Sequence, residues 1–199
     1  MSYALDIPPL MTVEEFLVWD APDGRTWQLV DGEAQAMAPA SRTHGVIQSR
    51  LSQRIGNHLD ATGGRCSIIS APGLIPRIRS ATNFRIPDLG VTCTPYEQEE
   101  HAVAGVILAI EILSPSNQRE TQWEMGTNIW SYTTIPSLRE ILIVQSSRIG
   151  ALLLRRQEDH AWPGEPISFD TGDIRLESID LTIPLHDLYR GTRLAPSPS

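Results

Sequence analysis

Two carboxylates stand where a purely structural sequence rarely puts them. Glu111 is the only charge in the nine-residue run Gly105 to Leu113, otherwise wholly apolar. An isolated buried carboxylate costs several kcal/mol, so it must be neutral, paired or bound to a cation. Asp88 follows Pro87 in Arg85-Ile86-Pro87-Asp88-Leu89-Gly90-Val91, where the chain enters a second apolar segment. The two acids are 23 positions apart, a length that suits neighbouring strands joined by a loop. Carboxylates meeting across adjacent strands repel each other unless a cation lies between them. Oxygen ligands of this kind favour Mg²⁺ or Mn²⁺. Each acid also has an ordinary alternative. A Pro-Asp pair commonly marks a turn, and a strand glutamate can pair with a buried arginine.

The elements that must carry these acids follow from periodicity. Residues 1–10, with Pro8 and Pro9, read as an irregular arm, 11–193 as one domain and 194–199 as a disordered tail. Thr12 and Glu15 form a capping box ahead of Phe16, Leu17 and Trp19, so a helix starts there and stops at Pro22-Asp23-Gly24. Trp27 to Met37 predicts a hairpin turning at Asp31-Gly32. Thr43 to Ala61 predicts the longest helix, with Ile47, Leu51, Ile55 and Leu59 four apart on one face. Cys66–Ile78 and Phe84–Thr94 predict β segments, and Gly105–Leu113 a central strand covered on both faces. A helix over about Arg119–Tyr132 is expected next. Strands at Glu140–Val144, Ile149–Arg155 and Ile174–Ile183 complete a mixed α/β (α+β) sheet flanked by helices.

Composition narrows the chemistry. All 16 basic residues are arginines, so lysine-dependent mechanisms are excluded outright. The formal net charge of −8 argues against tight general binding to nucleic acid, whose affinity comes largely from phosphate neutralisation. Cys66 and Cys93 match no zinc spacing and read as free buried thiols in a reducing compartment. No charged-then-apolar leader and no apolar run near the ~18 residues of a membrane span is present. A cytoplasmic protein without a membrane contact is therefore expected.

Several blocks then resemble one family in order: Thr12 to Phe16, Leu29-Val30-Asp31-Gly32-Glu33, Ser41 to His44, Pro87-Asp88-Leu89 and Glu111-Ile112-Leu113-Ser114-Pro115-Ser116. They are similar to the Uma-type restriction endonucleases, domain-of-unknown-function family 820, within the PD-(D/E)xK nuclease superfamily. The likeness covers roughly residues 11–190. It implies a restriction-endonuclease-like fold, a DNA substrate and pairing as a homodimer. It also implies that Asp88 and Glu111 ligate Mg²⁺ or Mn²⁺, with the carbonyl of Ile112 as a further ligand. The family's lysine has no counterpart. Leu113 stands two after Glu111, and Asn128 stands where the following helix would carry the lysine. Gln118 and Gln122 lie on the same segment, and Gln28 replaces a glutamate of the family pattern. Asn128 can hold a water by hydrogen bonds but cannot deprotonate it. Two functions follow: a metal-dependent DNA endonuclease with a weakened water-activating step, or a degenerate nuclease fold that binds nucleic acid or a protein partner without cutting. A purely structural fold, with both acids in salt bridges, is the third.

Further candidates surround this pair. His44 matches a histidine of the family pattern and could face the cleft or simply bond a neighbouring loop. Glu33 reads as an outer metal ligand or a solvated hairpin charge. Arg77, Arg79 and Arg85 form a basic cluster, Arg77 and Arg79 sharing one face of a strand, which could grip a phosphate backbone or protect a sheet edge. Arg119 could meet a scissile phosphate. Trp123, Trp130 and Tyr132 read as core, since base stacking would need exposure.

Overall fold

The computed structural model describes residues 10–95, 101–114 and 129–195. The capping box forms as expected: the Thr12 N–H donates to Glu15 Oε2 and the Glu15 N–H to Thr12 Oγ1, opening α1, Val13–Val18. The hairpin is β1, Trp27–Val30, against β2, Glu33–Ala36. Its two turn residues both take left-handed backbone, Asp31 at φ 51° and Gly32 at φ 90°, which matches the twist of a two-residue hairpin loop. Helix α2, Arg42–Ala61, is capped by Ser41, whose hydroxyl accepts from the His44 N–H at 3.2 Å.

Six strands form the main sheet in the order β3 (Ser67–Ser70), β4 (Leu89–Thr92), β5 (Val106–Leu113), β6 (Glu140–Gln145), β7 (Ala151–Arg155) and β8 (Ile167–Phe169). All neighbours are antiparallel except β5 and β6, which run parallel. Parallel neighbours need a long crossover. Here the connection between β5 and β6 includes α3, helical over residues 129–133. The expected helix over Arg119–Tyr132 otherwise lies outside the described residues, as do residues 1–9 and 196–199. A second hairpin, β9 (Asp173–Leu176) and β10 (Leu181–Pro184), answers to the single last β piece of the sequence reading.

Both sheet faces are covered, as the apolar β5 requires. On one face Ile47, Leu51, Ile55 and Leu59 of α2 pack on Leu89, Leu108, Ile110 and Leu142. On the other, Val106, Ala109, Ile141 and Ile143 pack with Tyr132 and Leu138. A separate cluster of Met11, Val13, Leu29 and Phe84 ties α1 and the β1–β2 hairpin to the body, and Leu29 exchanges backbone hydrogen bonds with Phe84 at 2.8 and 3.0 Å.

Two expectations fail here. Cys66 and Cys93 are not free thiols but a disulfide. The β3–β4 ladder ends at Ser67 opposite Thr92, so the next positions outward are the two cysteines. Their 27-residue separation hid a cross-strand neighbour relation that only register creates. The inference from free thiols to a reducing compartment falls with it. Arg77 and Arg79 do not share a strand face either. Residues 77–80 form a bend and turn, with Arg79 in left-handed backbone at φ 47°. No helix among the described residues is long and apolar enough to cross a membrane.

Candidate functional site

Register brings the two acids together. Leu89 pairs with Ile110, and both face the α2 side of the sheet. One step beyond that pair, alternation turns Glu111 of β5 to the opposite face, where Tyr132 packs. Asp88, in the bend just before β4, stays within reach of α2. Both acids line one cleft of about 530 Å³ together with His44, Gln48 and Ile112.

Asp88 is held on every side. One carboxylate oxygen, Oδ2, accepts from the Ile112 N–H at 2.6 Å. The other, Oδ1, stands 3.0 Å from His44 Nε2, which donates to it. The Asp88 carbonyl accepts from the Ala71 N–H and from Gln48 Nε2, each at 3.0 Å. His44 and Gln48 are one turn apart on α2, and the stripe Ile47–Leu51–Ile55 beside them anchors that helix to the sheet. His44 is 7% exposed, and among the described residues its Nδ1 has no hydrogen-bond partner.

Glu111 is the electrostatically disfavoured member. Burial pushes its carboxyl from the ordinary 4.5 up to about 8, and the Asp88 charge adds to the rise. The Tyr132 hydroxyl, the Asp88 backbone and the Arg85 charge pull the other way without cancelling it. Tyr132 is fully buried and donates from its hydroxyl to Glu111 Oε1 at 2.7 Å. Its own ionisation is driven well above the usual tyrosine range, first by burial and then by the Glu111 charge. It is therefore a permanent donor.

The donor set fits a hard divalent ion that keeps its own waters. Among the described residues no three His, Cys, Asp or Glu side chains gather into a ready cage. Two carboxylates are what Mg²⁺ commonly takes from protein. The Leu113 carbonyl accepts from the Ser146 N–H on the β6 side at 2.9 Å. Successive strand residues point their peptide groups to opposite edges, so the Ile112 carbonyl faces the other way, beside Asp88, where β4 has ended.

The remaining candidates divide. Gln28 lines the cleft, but Glu33 is exposed and does not. Arg85 is only 2% exposed, which removes it from any surface grip on phosphate; its charge acts inward on Glu111 and Tyr132. Arg79 Nη1 pairs with Asp31 Oδ2 at 2.6 Å, and Arg77 is exposed. Trp130 is 56% exposed rather than core, whereas Tyr132 is core. Asn128, Gln118, Gln122, Arg119 and Trp123 lie outside the described residues. Three contributors escaped the sequence reading. The sequence marks Tyr132 as core and gives no sign of the role of its hydroxyl. Gln48 follows His44 by four residues, a spacing that signals a shared helix face. Gln35 lines the cleft because it sits opposite Gln28 in the hairpin register.

Comparison with known proteins agrees with this fold. The family model "Uma2: Putative restriction endonuclease" matches residues 13–185. An uncharacterized protein of Synechocystis sp. is 31% identical over 185 residues, which covers 92% of this chain and 93% of that protein. Among solved structures, a crystal structure from Anabaena variabilis, described as a putative nuclease belonging to DUF820, gives a TM-score of 0.73 at 17% identity. The match covers 90% of this chain and 98% of that one. At that identity the likeness speaks for the fold.

Proposed function

This chain belongs to the Uma2 family, whose model is described as "Putative restriction endonuclease", and from that premise we propose that it is a divalent-metal-dependent endonuclease hydrolysing DNA phosphodiester bonds at the Asp88–Glu111 cleft. The observation that carries the reading is Glu111. A carboxyl pushed to about 8 beside a second carboxylate marks a site short of positive charge. Mg²⁺ or Mn²⁺ held by Asp88, Glu111 and the Ile112 carbonyl would polarise the phosphoryl group and acidify water there.

The chain's own residues prepare that site. His44 and the Ile112 N–H fix the plane of the Asp88 carboxylate. Tyr132 fixes one oxygen of Glu111 and leaves the other to a ligand. In this reading Asn128, with Gln118 and Gln122 on the same segment, holds the attacking water. None of the three is a base. Losing one general base costs about 10²–10⁴-fold in rate, so turnover is slow rather than absent.

The absence of any lysine favours one second reading, a nuclease fold that binds nucleic acid or a protein partner without cutting it. One assay separates the two. Purified protein is incubated with supercoiled plasmid and single-stranded DNA in Mg²⁺ or Mn²⁺, beside Asp88→Ala. Slow cleavage that disappears in Asp88→Ala is the expected result. Mn²⁺ binding without cleavage by either protein would establish the non-cutting reading instead.

A further inference from the structure

One wall of the cleft carries two neutral amides beside a single arginine. Along β1, Trp27 and Leu29 are buried and Gln28 between them is turned to the cleft. Gln28 and Gln35 are direct cross-strand partners, so their side chains leave the same face of the hairpin. Both line the cleft that holds Asp88 and Glu111, and neither carboxamide makes a hydrogen bond among the described residues. Arg25 lies on the same wall, but its charge is committed. Its Nε pairs with Asp23 Oδ2 at 2.6 Å and its guanidinium stacks over Trp27 at 5.1 Å.

Such a wall is poorly suited to phosphate and well suited to base edges. A carboxamide offers one acceptor and a donor pair side by side, the complement of the adenine N6 and N7 edge. A two-stranded ribbon is also narrow enough to enter a major groove. A chain of formal net charge −8 gains less from the phosphate backbone than a basic one, so neutral hydrogen bonds weigh more.

We propose that the β1–β2 hairpin is the base-reading element of this protein, with Gln28 and Gln35 hydrogen-bonding base edges next to the bond presented to Asp88 and Glu111, and adenine the preferred base. The assignment deepens the nuclease reading and rests on DNA being the substrate. It is tested by binding, so that it does not depend on turnover. A pool of DNA duplexes with a randomised centre is selected on the wild-type protein in Ca²⁺ and sequenced, beside the Gln28→Ala/Gln35→Ala double variant. Thermal melting and Mn²⁺ titration check that the variant is folded and its acid pair intact. The wild type is expected to enrich adenine about fivefold to a hundredfold at one or two positions, the discrimination of a two-point contact. The double variant is expected to lose that enrichment while melting and binding Mn²⁺ like the wild type. A wild-type pool with no preferred base, or with another base enriched, would overturn the proposal, as would a double variant that keeps its adenine preference. Plasmid cleavage in Mn²⁺, measured separately, decides the hydrolytic reading whatever the pool shows.

Discussion

Tyr132 is fully buried, yet its hydroxyl is turned to a carboxylate rather than lost in the core. With Arg85 it holds Glu111 only part of the way towards ionisation, since burial and Asp88 win. The consequence for stability has a definite sign. Folding raises the Glu111 carboxyl above its ordinary 4.5, so the folded protein favours the protonated form. That contribution is complete below about pH 4.5 and is lost as pH rises through about 8. Without metal, Glu111→Gln is therefore expected to melt above the wild type at pH 8 to 9 and to converge with it near pH 4.5, measured in EDTA. A cation reverses the sense, because it takes the ionised carboxylate. Wild-type Mn²⁺ affinity should tighten by up to about tenfold per pH unit between 6 and 8, with one proton released. An affinity flat across that range would show that metal binding displaces no proton from Glu111.

At the scale of elements, α2 does two jobs with two adjacent stripes. Ile47, Leu51, Ile55 and Leu59 dock it on the sheet, and His44 with Gln48 reaches Asp88. The aim of the polar stripe depends on the seating of the apolar one. Leu51 is wholly buried at its centre. Truncation to alanine there is expected to cost about 2–5 kcal/mol, since packed neighbours collapse only partly around the void. Urea denaturation of Leu51→Ala measures it. A loss below 0.5 kcal/mol would mean that α2 is not rigidly docked.

The whole molecule places its site at the sheet's one change of direction. β4 meets β5 antiparallel, β5 meets β6 parallel, and the crossover that the parallel join requires delivers Tyr132 to Glu111. The acid pair and its partners thus draw on four elements: α2, the bend that enters β4, the C-terminal half of β5, and α3. The overall charge of −8 sets how DNA can be held. Among the described residues Arg25 is the one arginine lining the cleft, so binding is expected to neutralise only about two or three phosphates. The slope of log K against log salt is then expected to be about −2 to −3, read by fluorescence polarisation between 50 and 200 mM salt. A slope steeper than about −6 would reveal a phosphate-gripping surface elsewhere on the molecule.

What the sequence determined by itself was local or periodic. The Thr12–Glu15 box, the Asp31-Gly32 turn, the α2 stripe and the double-sided apolar run of β5 each depend on neighbours a few residues away. The anomaly of a charge inside that run was also legible, because burial can be read from an apolar stretch. The partners of that charge were not. That Tyr132 donates to Glu111, that Arg85 is turned inward, that Gln35 stands beside Gln28 at the cleft and that Cys66 meets Cys93 all follow from strand register and helix docking. Register is chosen by the fit of the whole buried surface, so it joins residues that no local pattern connects. Chemistry at this cleft was visible as a residue out of place, and tertiary packing alone decided which groups answer it.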